Sequence, residues 1–448
     1  MLTSNRSGSG GDDIRSSKWF SIAAVVTFVC TGLYIASDSR GVEATTWMNI
    51  FAFSDLATPD KIGDFVANLI IPVPIALSLF EIAVYKTFGS TYLVTHVLYR
   101  GCLVLSYVLA IYLCSASRNR FLFCIFTSLV FVWCTILIHP GNPQLYDFVF
   151  PLWNLVFVIA LKSVKTDETS TEATALPLLL CAAAGFSLSM VELLRPFVFL
   201  VMPFLLFCVY LRLRRLPRKY FAAFIVPVLL FSGSWHGYQA VRHGQIVWSN
   251  HSGFNLVRAW PMVESPVLVP ESNNQPLAPD RLPNLNTREH LENSRRLQKG
   301  IVEFLITHPL EGLANIGYRF YVFMTVPTHL SMNNPPYPEL WLYRILVWIA
   351  CLILLRGLVL LGYHVVSSRR LDRLGDPENI LSSSALLYMM LMAVGDAGEE
   401  SRFWISILPI LAAQFWRLDT SSDGLPLRRL VGALRLEWAK LTGSEPHQ

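Results

Sequence analysis

Apolar runs long enough to form helices recur along the chain at residues 19–36, 93–115, 121–139, 145–161, 176–194, 197–212, 220–236, 340–363, 380–397 and 403–417. A helix needs about 20 apolar residues to cross the hydrocarbon core, so the pattern predicts about ten transmembrane helices. The polar positions between the runs fall into two groups. Arg/Lys clusters at 15–18, 118–120, 162–165, 212–219, 369–373 and 428–435 are each separated from the next by two apolar runs. Two other connections, 37–92 and 235–338, are long and carry carboxylates. Positive residues mark the cytoplasmic side of a membrane protein. Both termini are therefore expected inside, and the two long loops outside.

Two apolar stretches do not fit a simple crossing. Residues 69–88 contain Pro72, Pro74 and Glu81 and end near Lys86. Counting them as a span would put the clusters at 118–120 and 212–219 outside, so a helix lying on or re-entering the outer surface is expected. Residues 301–324 carry Glu303, His308, Pro309, Glu311 and Arg319, which is too polar for a lipid-facing helix, and receive the same reading. The stretch 266–286, rich in Pro and Asn, predicts irregular backbone. Residues 1–18 are polar and Gly/Ser-rich and are expected to be a disordered cytoplasmic tail, followed by a transmembrane domain over 19–424. Residues 425–448 form an amphipathic cytoplasmic tail in which 425–441 read as a surface helix. The polar loop 165–174 has no chemical signature, and no internal repeat is visible.

Composition agrees with this all-α polytopic membrane reading. Of 448 residues, 53% are hydrophobic and 15% charged, against about 25% charged in a soluble domain. The net charge of +5 is distributed over short inner connections, not gathered into a basic stripe with interleaved aromatics, so nucleic acid is not an expected partner. Cys30, Cys102, Cys114, Cys124, Cys134, Cys181, Cys208 and Cys351 all lie in apolar runs without metal-ligand spacing and read as small buried residues.

Candidate chemistry gathers in the outer loops and at the outer ends of spans. Asp38, Glu43, Asp55, Asp60 and Asp64 occupy the first loop, where a carboxylate can act as a general base or hold a divalent cation. As single residues they read equally as solvated loop charges. Arg195 interrupts an apolar run, and Glu192 precedes it at helical spacing. Either the two form a local pair, or the guanidinium binds a phosphate. Trp235, His236, Arg242 and His243 follow the seventh run. Asp396, Glu399, Glu400 and Arg402 make a charged outer hairpin, the kind of membrane-face cluster that marks a site. His139, His251, His308 and His329 are isolated and read as surface histidines, and the Asn250-His-Ser252 glycosylation pattern is short and weakly specific.

Several segments together resemble one family. They are Pro72-Val-Pro74-Ile-Ala-Leu-Ser-Leu-Phe-Glu-Ile-Ala-Val-Tyr85-Lys86-Thr-Phe88-Gly89, Gly185-Phe-Ser-Leu-Ser-Met-Val-Glu-Leu-Leu-Arg195-Pro196, Trp235-His-Gly-Tyr-Gln-Ala-Val-Arg242-His243-Gly244 with Ser252-Gly253-Phe254-Asn255-Leu256, and Glu400-Ser401-Arg402-Phe403 before Pro409. Their order resembles the GT-C glycosyltransferases, relatives of the protein mannosyltransferases and aminoarabinose transferases, in particular the bacterial RgtA/B/C/D-like branch. The first loop departs from the family's Asp-Glu pair. Glu43 is nearest by its spacing to Pro72, Asp38 is the alternative, and Asp60 and Asp64 resemble a second acid.

The resemblance implies a GT-C fold with interfacial helices in both outer loops. It further implies an enzyme of the bacterial inner membrane with its active site facing the periplasm. The activity implied is inverting transfer of a sugar from a polyprenyl-phosphate donor to a glycan, lipid or protein acceptor. A first-loop acid (Glu43, Asp38, Asp60 or Asp64) would be the base, and Arg195, Arg242, His243, Glu399, Glu400 and Arg402 would bind substrate or phosphate. Some relatives use a divalent cation. A lipid or solute flippase, an O-antigen ligase-like protein and a catalytically degenerate relative are the competing readings. The flippase needs polar residues in mid-span, whereas the charges here collect at outer ends.

Overall fold

The computed structural model describes residues 10–36, 87, 99–114, 118–138, 145–164, 175–244, 260, 288–325, 371–395 and 400–417, with scattered positions between 345 and 362. Among these residues the chain is helical and has no strand. The helices are α1 (Gly10–Ala36), α2 (Tyr99–Cys114), α3 (Arg118–Ile138), α4 (Leu145–Ser163), α5 (Ala175–Leu194), α6 (Val198–Leu213), α7 (Arg218–Val228), α8 (Ser234–His243), α9 (Arg288–Thr307), α10 (Pro309–Thr325), α11 (Pro377–Gly395) and α12 (Glu400–Arg417). The scattered positions within the expected span 340–363 are helical too.

Three helical segments are long and apolar enough to cross a membrane: Ala175–Leu194, Arg218–His243 and Pro377–Gly395. Leu176, Leu179, Leu200, Phe207, Val226, Leu229 and Leu230 are exposed on them and on α6. Apolar side chains are stable there when lipid, not water, is the surrounding medium.

α4 sits at the centre of the bundle. It packs on α2, α5, α11 and α12, and α5 in turn packs on α7. The α5–α7 contact is backbone-close because α5 carries small residues on that face. A Cβ on Gly185 would lie 2.0 Å from the Phe224 carbonyl oxygen. Ser189 Oγ bonds the Gly185 carbonyl at 3.0 Å and approaches that of Pro227 at 3.5 Å. Small residues let membrane helices approach and place weakly polar groups against backbone. Across the centre, Tyr388 donates to Asn154 Oδ1 at 3.1 Å while Asn154 Nδ2 donates to the Phe150 carbonyl at 2.9 Å.

α7 and α8 are one rod with a wide turn between them. Pro227 lies inside α7 and supplies no backbone N–H, and a π turn, Leu229–Gly233, follows. The rod ends at Gly244, whose positive φ of 68° provides the left-handed cap and whose N–H bonds the Ala240 carbonyl. The helix thus extends well beyond residue 235, where the sequence pattern predicts the second loop to begin.

Two further differences from expectation occur. α1 starts at Gly10, inside the stretch 1–18 expected to be a disordered tail. The stretch 301–324, expected as one interfacial or re-entrant helix, is divided between α9 and α10. The break falls at His308 because Pro309 has the fixed φ of a first helical residue and no N–H to continue α9. α10 packs against α11 and α12. The interfacial helix expected over 69–88 (apart from Thr87), the tail helix over 425–441, the loop 165–174, the irregular stretch 266–286 and the glycosylation pattern at Asn250 lie outside the described residues.

Candidate functional site

The charged residues of the bundle separate to its two ends. At one end Lys162 meets Glu378 at 3.1 Å. There Asp372 accepts from both Arg214 and Arg215, the latter at 2.5 Å, and Arg212 donates to the Val164 carbonyl at 3.2 Å. These contacts join the end of α4, the end of α6, the 3-10 turn Leu371–Gly375 and the first turn of α11. They are partly exposed, and exposed pairs contribute little to stability.

The other end holds buried polar groups. Asp147 stands in the first turn of α4, fully buried. Arg195 follows the last residue of α5 and is 6% exposed. Proline at 196 disfavours helical backbone at the residue before it, which explains why the helix stops there. The Arg195 guanidinium donates to Asp147 Oδ1, and to Ser406 Oγ on α12 at 3.0 Å. Ser406 Oγ donates to the same Asp147 oxygen at 2.9 Å. Three segments distant in sequence are tied through one carboxylate oxygen.

One turn back on α5, Glu192 is 1% exposed. Ser232 of the π turn donates to its Oε2 at 2.7 Å, and His236 Nε2 lies 2.7 Å from its Oε1. Phe199, at the start of α6, sits against the imidazole with ring centroids 4.6 Å apart. The local Glu192–Arg195 pair offered by the sequence spacing is therefore not the arrangement adopted. Arg195 turns to α4 and α12 where α5 ends, and Glu192 stays on the helical face toward α8. Two separate sets result, each carrying one carboxylate and one basic side chain.

The remaining candidates divide between described and undescribed residues. Arg242 is exposed on α8, and its Nη1 donates to Tyr238 Oη at 2.9 Å. His243 is half-buried one residue further. Both occupy the last turn of α8, where a basic residue complements the negative helix end whether or not it binds a ligand. Trp235 lies near Tyr238, with ring centroids 6.1 Å apart. Glu400 and Arg402 fall in the first turn of α12. Asp38, Glu43, Asp60, Asp64 and Glu399 lie outside the described residues. Among the described residues no group of three or more potential metal ligands occurs. Trp260, fully buried, donates to the Val394 carbonyl at 3.2 Å and fixes one point of the second loop beside the end of α11.

Asp147, Ser406 and Ser232 were not singled out by sequence reasoning. A signal existed for Asp147. It is an ionisable residue at the boundary of an apolar run, the criterion that identified Arg195. Ser406 and Ser232 gave none, since small hydroxyl residues are common in membrane helices and usually bond their own backbone.

No protein-family model and no curated protein sequence matches the chain. Among solved structures, it is similar to the archaeal oligosaccharyltransferase AglB from Archaeoglobus fulgidus, in complex with an inhibitory peptide and a dolichol-phosphate. The likeness is at 12% identity and a TM-score of 0.41, over 95% of this chain and 54% of that one. The chain therefore spans about half the length of that protein, and at this level the similarity carries no functional assignment.

Proposed function

We propose that the chain is a polytopic membrane glycosyltransferase of the GT-C kind, with about ten spans, that transfers a sugar from a polyprenyl-phosphate-linked donor at the outer face of a bacterial inner membrane. The observation that supports this best is the accumulation of Asp147, Glu192, Arg195 and His236, all buried or half-buried, at one end of an otherwise apolar bundle. That end is opposite the one holding Arg212, Arg214 and Arg215. Buried ionisable groups at membrane depth are costly and collect where a membrane protein handles a polar substrate.

In this reading the prenyl chain lies among the spans and the sugar phosphate meets the polar end. A first-loop carboxylate (Glu43, Asp38, Asp60 or Asp64) takes the proton of the acceptor hydroxyl as its oxygen attacks the anomeric carbon. The bond to phosphate breaks with inversion, and cationic side chains such as Arg242 and Arg402 stabilise the departing phosphate. Because Arg195 is engaged with Asp147, its part is to hold α4, the end of α5 and α12 together beneath the site. A divalent cation, as some relatives use, would add charge neutralisation at the same phosphate. The acceptor is a glycan, lipid or protein of the envelope.

Mass spectrometry of envelope lipids and glycans from cells with and without the gene tests the reading. A species lighter by one sugar in the deletion strain is expected, restored by the wild-type gene and not by a gene with all four first-loop acids changed to alanine. Identical profiles with and without the gene would remove the transferase reading.

A further inference from the structure

The chain from 212 to 219, where α6 turns into α7, carries Arg212, Arg214, Arg215, Arg218 and Lys219. The first three are engaged by the protein itself. Arg212 donates to the Val164 carbonyl, and Arg214 and Arg215 share Asp372. Glu378, a further acid at this end, meets Lys162. Arg218 and Lys219 are exposed, and among the described residues neither is paired with a carboxylate. Both stand in the first turn of α7, which has no acid. A cation there opposes the helix dipole, so the two charges do not stabilise the helix that carries them.

An apolar surface begins one turn away from these cations. On α6, Leu200, Pro203, Phe207 and Tyr210 recur at the spacing of one helix face and are all exposed. On α7, Ala222 and Val226 are exposed, and Leu229 and Leu230 continue the surface on the π turn. The rings of Tyr210 and Phe221 meet edge to face between the two helices, with centroids 5.8 Å apart. Arg218 precedes Phe221 and Ala222 at helical spacing, and Lys219 precedes Ala222 likewise, so both cations share the exposed side of α7. The Lys219 ammonium also lies over the Tyr220 ring, 5.8 Å from its centroid.

Cations, then an aromatic pair, then a run of apolar side chains follow one another along a single surface. An anionic phospholipid has the complementary order, from phosphate through glycerol to acyl chain. Basic residues at the cytoplasmic edge of a span attract anionic headgroups, and aromatic rings settle at headgroup level. The general excess of cytoplasmic charge accounts for the sign of the cluster. It accounts neither for the aromatic pair nor for two cations without an acid beside others that have one.

We propose that the α6–α7 turn binds an anionic phospholipid of the inner leaflet. Arg218 and Lys219 take its phosphate, Tyr210 and Phe221 lie at the glycerol, and the acyl chains run along the exposed faces of α6 and α7. The proposal requires that the bundle lie in a bilayer with this end inside, and is independent of sugar transfer.

The test uses the full chain in neutral detergent and measures lipid binding by native mass spectrometry. The probes are phosphatidylglycerol, phosphatidylcholine with the same acyl chains, and glycerol 3-phosphate. Wild type is expected to hold phosphatidylglycerol about thirtyfold more tightly than phosphatidylcholine, the scale of two basic residues facing an anionic headgroup. Glycerol 3-phosphate should not bind at the same concentration. Arg218→Gln combined with Lys219→Gln should remove most of the preference. Arg296→Gln combined with Lys299→Gln takes the same charge from the exposed side of α9 and should leave it intact. A phosphatidylglycerol with a photoreactive acyl chain should label wild type between residues 200 and 230, which decides the matter if the Arg218/Lys219 variant does not fold. Equal binding of the two lipids by wild type overturns the proposal, as does labelling confined to other segments. Preference retained without Arg218 and Lys219 overturns it too. Loss in both double variants would show a response to net charge and not a site. Glycerol 3-phosphate held as tightly as the lipid would overturn the assignment to a lipid. The envelope glycan profile that tests sugar transfer is a separate readout, so either reading can fail without the other.

Discussion

The Arg195 guanidinium donates to the carboxylate of Asp147, 48 residues earlier in the chain, with both side chains almost wholly buried. Removing one member of such a pair leaves the other charge buried without that partner, which costs about 3–5 kcal/mol. Asp147→Ala is therefore expected to lower the stability of the purified protein strongly, as read by thermal unfolding in detergent. Asp147→Leu combined with Arg195→Met should recover most of the loss, because neither charge then remains. If instead Arg195 were chiefly a phosphate ligand competing with Asp147, Asp147→Asn would tighten polyprenyl phosphate binding. We expect no tightening.

Asp372 provides the contrast. It accepts from two arginines, yet its side chain is 31% exposed and those of Arg214 and Arg215 are more so. Solvent screens such pairs, and Asp372→Ala should cost no more than about 1 kcal/mol. A loss comparable to that of Asp147→Ala would contradict the burial difference between the two ends.

Much of the helical layout was legible because hydrocarbon imposes a length and a polarity on each element, and α4 and α5 fall within two residues of the apolar runs that predict them. The site was less legible. Glu192 and Arg195 stand three apart and look like a local pair, but α5 ends at Leu194, so the two side chains leave toward different helices. Pro196 carried that signal, through its effect on the residue before it. Asp147 was hidden by its position, since an acid in a first helical turn is common for dipole reasons alone. The polar residues of α8 were obscured because the rod was expected to end near residue 236, which left Gln239 and His243 in a loop with no face to share.

Gly185 tests the closest helix contact. An added methyl would meet the Phe224 carbonyl oxygen at 2.0 Å, and backbone cannot move aside as a flexible side chain can. Gly185→Ala should separate α5 from α7 and lengthen the Ser232–Glu192 and His236–Glu192 contacts that tie α5 to the π turn and α8 beyond it. The expected loss is about 1–3 kcal/mol or more, accompanied by reduced polyprenyl phosphate binding. Gly237→Ala is the control, as nothing lies within 4 Å of its Cβ position. Equal melting temperatures for the two variants would show that the helices are not in backbone contact.

The separation of charge to two ends requires a definite sidedness. Arg215 lies with Asp372 at one end of the bundle, and Glu303 is exposed on α9 in the stretch between α8 and residue 338. Positive clusters remain cytoplasmic because moving them across the membrane is costly, so Arg215 should face inside and Glu303 outside. In a background with the eight native cysteines replaced, a cysteine at 303 should react with a membrane-impermeant maleimide in spheroplasts. A cysteine at 215 should react only after the membrane is opened. The proposed chemistry depends on this orientation, because Glu192, Arg195 and His236 sit at the end opposite Arg215. Labelling at 215 in sealed spheroplasts, with none at 303, would put the polar end in the cytoplasm, where an outward-facing transferase could not operate.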